Sequence, residues 1–146
     1  MRFSLLAAVF LGLAALPADA QPRRNATPQE AITAPATVTI TAGGADRNAV
    51  PGSGCSGFIS NARPSASIEV SGDGPLAIYA VSGSDTTMLV SDPAGRWHCS
   101  DDASGSNPAV TFARAAPGTY VVWVGTFSAT ETASARLSAV RGQPDW

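Results

Sequence analysis

Pro117-Gly118-Thr119-Tyr120-Val121-Val122-Trp123-Val124 is the stretch on which the fold turns. A Pro-Gly pair breaks whatever precedes it and opens a run of β-branched and aromatic residues. Successive side chains of a strand leave on opposite faces, so Tyr120, Val122 and Val124 share one face and Val121 and Trp123 the other. Both faces are apolar. Such a strand belongs at the centre of a sheet that is covered on both sides.

The same period of two recurs on either side of it. Upstream it marks Thr37–Thr41, Ser67–Val70, Leu76–Val81, Thr87–Val90, Arg96–Cys99 and Ala109–Phe112, and downstream Ser134–Val140. Gly72-Asp73-Gly74-Pro75, Asp92-Pro93-Ala94-Gly95 and Asn107-Pro108 punctuate these runs, and no segment sustains a helical period. Eight or nine short strands at this spacing predict an all-β domain, an antiparallel β-sandwich of jelly-roll type.

The ends of the chain read differently. Met1-Arg2 gives a positive start, Phe3 to Leu16 is uncharged and mostly apolar, and Ala18-Asp19-Ala20 has the small-x-small form of a cleavage site. Fourteen residues of helix rise only about 21 Å, short of a bilayer core, so 1–20 is expected to be a signal peptide cleaved after Ala20. Residues 21–35 carry three prolines and one large aliphatic side chain, Ile32, and are expected to be a flexible leader. The sandwich domain then spans 36–142, followed by a loose tail at 143–146. The expected location is the periplasm or the outside of the cell, with no membrane span in the mature chain.

Composition narrows the function. The 146 residues carry nine Arg and no Lys against 11 acidic side chains, a net charge of −2, with one His and two Cys. No basic field exists to hold a polyanion, so nucleic-acid binding is excluded. In an oxidising compartment Cys55 and Cys99 are expected to form a disulfide. The two could otherwise stay as thiols beside His98, but neighbouring strand residues point to opposite faces, which argues against a Cys-His nucleophile pair. No G-x-S-x-G elbow is present, and Gly72-Asp73-Gly74-Pro75-Leu76 lacks the nucleophilic Ser of a trypsin-like signature. The chain is expected not to be an enzyme, although Glu69, Asp85, Asp92, Asp101 and Asp102 are carboxylates of the type glycoside hydrolysis uses.

The string from Asp85 to Asp102 has the pattern D-T-x-x-x-V-x-x-P-x-G-x-W-x-C-x-D-D, and Gly118 to Thr126 continues it as G-x-Y-x-V-W-V-G-T. Together with Gly54-Cys55-Ser56-Gly57-Phe58-Ile59 upstream, this resembles the bacterial pre-peptidase C-terminal domain family, over residues 37–141. The resemblance implies a jelly-roll sandwich that accompanies secreted peptidases without being their catalytic part. No peptidase precedes it in this chain, so a free-standing module is expected.

Asp85, Asp92, Asp101 and Asp102 fall within 18 residues, all at strand ends or in connections. With Asn107 and loop carbonyls they are candidate ligands for calcium, which takes six to eight hard oxygens. Some collagenase-linked domains of the resembled family are similar in binding calcium. The competing reading is that Asp92 opens the turn into Pro93 and that Asp101-Asp102 satisfy backbone amides. Trp97, Tyr120 and Trp123 are candidate aromatics for a glycan platform, against core roles in which Trp97 packs on the disulfide. The expected partner is an extracellular or periplasmic protein or glycan.

Overall fold

β10 (Gly118–Thr126) runs through the middle of the larger sheet of a two-sheet sandwich. The computed structural model describes residues 21–48, 50 and 54–146. The expected signal peptide lies outside them. One side of β10 pairs antiparallel with β5 (Ala66–Val70) and the other with β7 (Thr86–Ser91), which in turn carries β8 (Trp97–Ser100). At its far end β10 meets β4 (Phe58–Ile59), which pairs with β3 (Asp46–Arg47). Gly125 makes that junction possible, because a Cβ there would lie 2.5 Å from the Phe58 carbonyl oxygen.

The smaller sheet runs β2 (Ala36–Ala42), β11 (Ala133–Val140), β6 (Gly74–Ser82), β9 (Ala109–Ala115), all antiparallel. Four strands in the order β5-β10-β7-β8 facing four in the order β2-β11-β6-β9 is the arrangement of an eight-stranded jelly roll. Every strand expected from the period of two is present. β1 (Glu30–Thr33), β3 and β4 add to them, giving 11 among the described residues.

Both faces of β10 are covered, as its apolar faces require. Tyr120, Val122 and Val124 point between the sheets, where they meet Ile68, Leu76, Ile78, Met88, Val90 and Leu137. Val121 and Trp123 point the other way and form a second, smaller core with Leu89, Ile59 and Val50, flanked by Trp97 and Cys99. Tyr120 keeps its polar end satisfied by donating from its hydroxyl to the Ala116 carbonyl, 2.9 Å away across the β9–β10 corner. This is the device of the tyrosine corner known from other sandwiches.

Two expectations for the ends of the chain need correction. Residues 21–35 are no flexible leader. β1 pairs parallel with β5 from Glu30↔Ala66 to Thr33↔Glu69, Pro22 is buried, and the Arg23 amide donates to the Asn61 carbonyl. The Gln29 carboxamide acts as a surrogate strand residue: it donates to the Thr41 carbonyl at 2.8 Å and accepts from the Thr41 amide at 2.9 Å. Backbone pairing orders this segment, which its sparse apolar side chains do not reveal. The tail at 143–146 is also docked, with Trp146 edge-on to Tyr79 at 5.2 Å and Asp145 accepting from the Tyr79 hydroxyl. Tyr79 faces outward from the smaller sheet, and the tail covers it.

Cys55 and Cys99 form a disulfide across a separation of 44 residues, with Cα atoms 6.1 Å apart. It ties the β3–β4 connection to β8 beside the second core. Closing a loop of that length removes on the order of 4 kcal/mol of chain entropy from the unfolded state. The Cys55→Ser/Cys99→Ser double variant should therefore lose about 4 kcal/mol in urea unfolding, with the β10 core still forming.

Candidate functional site

The register of one hairpin decides which acidic side chains meet. β8 runs antiparallel to β7, with Ser91 opposite Trp97 and Met88 opposite Ser100. Asp85, just before β7, is thereby brought beside Asp101-Asp102, just after β8. Asp92 is left at the other end, in the turn.

At the first end, carboxylate oxygens of Asp85, Asp101 and Asp102 lie within 4.8 Å of one another. The loop around them is held by its backbone. The Thr86 amide donates to the Ser106 carbonyl at 3.2 Å, Ser104 and Asn107 form an isolated bridge, and the Phe127 amide donates to the Asp85 carbonyl at 3.4 Å. Phe127 sits on this rim with 64% of its surface exposed. None of the ion pairs among the described residues involves the three acids. Burial and then the neighbouring charges of Asp102 and Asp85 raise the Asp101 carboxyl above its ordinary value. Three hard oxygen donors at this spacing form a group able to hold a metal ion.

Asn107 is positioned differently from the expectation. Its carboxamide oxygen accepts from the Ser82 amide at 2.9 Å, which joins the loop to β6. That bond explains the residue without a metal.

Asp92 is not a ligand of the rim, and the expectation that grouped it there is corrected. It is 2% exposed, and its carboxylate is consumed by its own hairpin. Oδ1 accepts from the Arg96 amide at 3.0 Å, while Oδ2 accepts from Arg96 Nε at 2.9 Å and is paired with His98 Nε2 at 3.0 Å. From 68 residues away Arg24 donates to the Asp92 carbonyl at 2.9 Å. Burial pushes the Asp92 carboxyl up, but the hydrogen bonds from His98 and Arg96 and the Arg96 charge outweigh it and hold the group below its ordinary value. His98 also meets Phe112 edge-on at 4.9 Å. The Ser91 hydroxyl, one residue from Asp92, has no partner among the described groups and points away from His98 to the other face of the sheet. This Asp-His pair serves the turn.

The aromatic platform is corrected as well. Tyr120 and Trp123 are each 1% exposed, one in each core, and neither is open to a glycan. Trp97 is half-buried and packs against Trp123 with ring centroids 5.5 Å apart, in the cluster that includes Cys99. Trp97 thus lies in the disulfide's own cluster. Arg24 is the residue that sequence reading missed; nothing local to Arg23-Arg24 signals a partner so far along the chain.

No protein-family model matches the sequence, and no curated protein matches it. A solved structure does share the architecture: the pre-peptidase C-terminal domain of a collagenase from Bacillus anthracis. It superposes with a TM-score of 0.54 at 16% identity, over 80% of this chain and 98% of that one. The fold is that of a pre-peptidase C-terminal domain. The strand patterning and the motif strings therefore pointed to the right architecture.

Two outcomes follow from the carboxylates. A group whose folded value is depressed stabilises above the unfolded carboxylate value, near pH 4, and its contribution disappears as pH falls through the folded value. Thermal melts from pH 7 to pH 2 should show this acid limb, and Asp92→Asn should flatten it. Asp92→Ala should cost about 2–3 kcal/mol, because it strands buried donors in the turn. Asp101 has the opposite sign: its ionised form is disfavoured by folding, so Asp101→Asn should raise the melting temperature in chelator at pH 7.

Proposed function

We propose that this chain is an exported, non-catalytic β-sandwich module that binds a protein or glycan partner in the periplasm or outside the cell. The observation that carries the reading is the disulfide-stapled jelly roll, whose conspicuous open feature is the rim of Asp85, Asp101, Asp102 and Phe127. The disulfide fits an oxidising compartment. The chemically versatile residues have structural duties: both cysteines are oxidised, and the single histidine is paired with Asp92 in a turn. The likeness in fold to a domain of a collagenase supports the accessory character of the reading.

A second reading is favoured by the convergence of the three carboxylates: calcium orders the rim and makes partner binding metal-dependent. In this reading Asp85, Asp101 and Asp102 hold the ion, and loop carbonyls complete its shell. The ion offsets the burial and the mutual repulsion that together raise the Asp101 carboxyl.

A melt of the processed, oxidised protein in chelator and then in millimolar calcium tests the second reading. Saturation at about 100 times the dissociation constant adds roughly 2.7 kcal/mol, which is about 10 °C for a domain of this size. Asp101→Asn/Asp102→Asn should abolish that shift, and a melt indifferent to calcium removes the reading. The first reading is tested by titrating polysaccharides and collagen-like peptides in both conditions. Saturable binding without product formation is expected; turnover of generic peptide or glycan substrates would overturn it.

A further inference from the structure

Strands at the edge of a sheet expose backbone donors and acceptors that invite another strand, and folded proteins guard them with charge, proline, bulges or brevity. The larger sheet ends in β1 and β8, each four residues long, and in the two-residue, charged β3. In the smaller sheet β9 is guarded by Arg114, by the irregular register opposite Gly74–Leu76, and by the Ala109 amide donating to Ser100 Oγ at 3.0 Å. β2 is different. Its seven residues, Ala36-Thr37-Val38-Thr39-Ile40-Thr41-Ala42, hold no charge and no proline and pair with β11 without a bulge.

Gln29 reveals which way this edge faces. Its carboxamide takes both backbone groups of Thr41, so those groups point away from β11. Alternate residues of an antiparallel strand turn N–H and C=O to the same side, so Thr37 and Thr39 also point outward. No described hydrogen bond outside the strand ladders uses their backbone groups, and both residues are exposed. The edge thus presents two open donor–acceptor pairs flanking Val38, next to a third position where an amide is already seated.

We infer that β2 pairs with β2 of a second copy of this chain, antiparallel about a two-fold axis at Val38, to join the two smaller sheets into one of eight strands. In this register Thr37 of each copy faces Thr39 of the other, which uses all the open groups in four hydrogen bonds. Thr41 falls opposite Pro35 of the other copy. Pro35 has no N–H to give, and Gln29 already supplies Thr41, so the position that cannot pair is the one that does not need to. Beyond Pro35, toward the N-terminus, the chain crosses to β1, which belongs to the larger sheet, so β2 ends there as an edge of the smaller one. The strand is uncharged, so no like charges oppose each other across the axis.

Sedimentation equilibrium of the processed, disulfide-bonded protein over a concentration series is the test. A monomer–dimer equilibrium is expected, and amide exchange at Thr37 and Thr39 should slow with rising concentration while that of Thr41 stays constant. Thr37→Lys/Thr39→Lys sets two like-charge pairs across the axis and should weaken the dimer at least about tenfold. Thr37→Lys/Thr39→Glu sets Lys opposite Glu twice and should restore it. A protein that stays monomeric up to its solubility overturns the inference, as does a dimer indifferent to both charge patterns. A monomer whose Thr37 and Thr39 amides are protected only on adding an extended peptide also overturns it, and assigns the edge to a foreign strand.

Discussion

Antiparallel pairing of β7 with β8 across the Asp92 turn is the constraint on which much of the molecule depends. The buried carboxylate gathers the Arg96 amide, the Arg96 side chain and His98, and this holds the five connecting residues, 92–96, in one geometry. Side chains alternate along a strand, so a slip of one residue would carry Trp97 and Cys99 to the inner face and His98 to the outer. The disulfide would then lose its partner, the Trp97–Trp123 contact would be broken, and Asp101-Asp102 would move relative to Asp85. One hairpin therefore sets the staple, part of the second core and the acidic rim together.

β10 is shared by two cores, which explains the order of layers. Its inner residues complete the core between the sheets, and its outer residues require a cover that no third sheet supplies. The cover comes instead from irregular chain. The β3–β4 connection is bound by Cys55, and the N-terminal segment is bound through Arg23 to Asn61 and through Arg24 to Asp92. Covalent and backbone bonds take the place of apolar area on that side, as expected of segments with few large side chains.

The legibility of the candidate site varied residue by residue. Clustering of four aspartates within one hairpin was visible in the spacing. Which three converge was not visible, because it rests on the pairing partner of each strand and on which end of the hairpin each residue occupies. By sequence Asp92 fits both a ligand and a turn former; its burial and its three hydrogen bonds assign it to the turn. For Tyr120 and Trp123 alternation assigned opposite faces correctly, but whether the outer face is covered depends on a loop distant in sequence.

By itself the sequence determined the class of fold, the eight main strands and the central place of β10. These follow from local rules: a side-chain period of two, apolar residues on both faces, and turn residues between the runs. Tertiary structure alone decided the rest: the parallel docking of β1, the Gln29 clamp on β2, the reach of Arg24 to Asp92, and the seat of Trp146 on Tyr79. Each of these joins residues far apart in the chain through backbone groups or a single ring. A hydrogen bond between distant segments leaves no periodic trace in either of them.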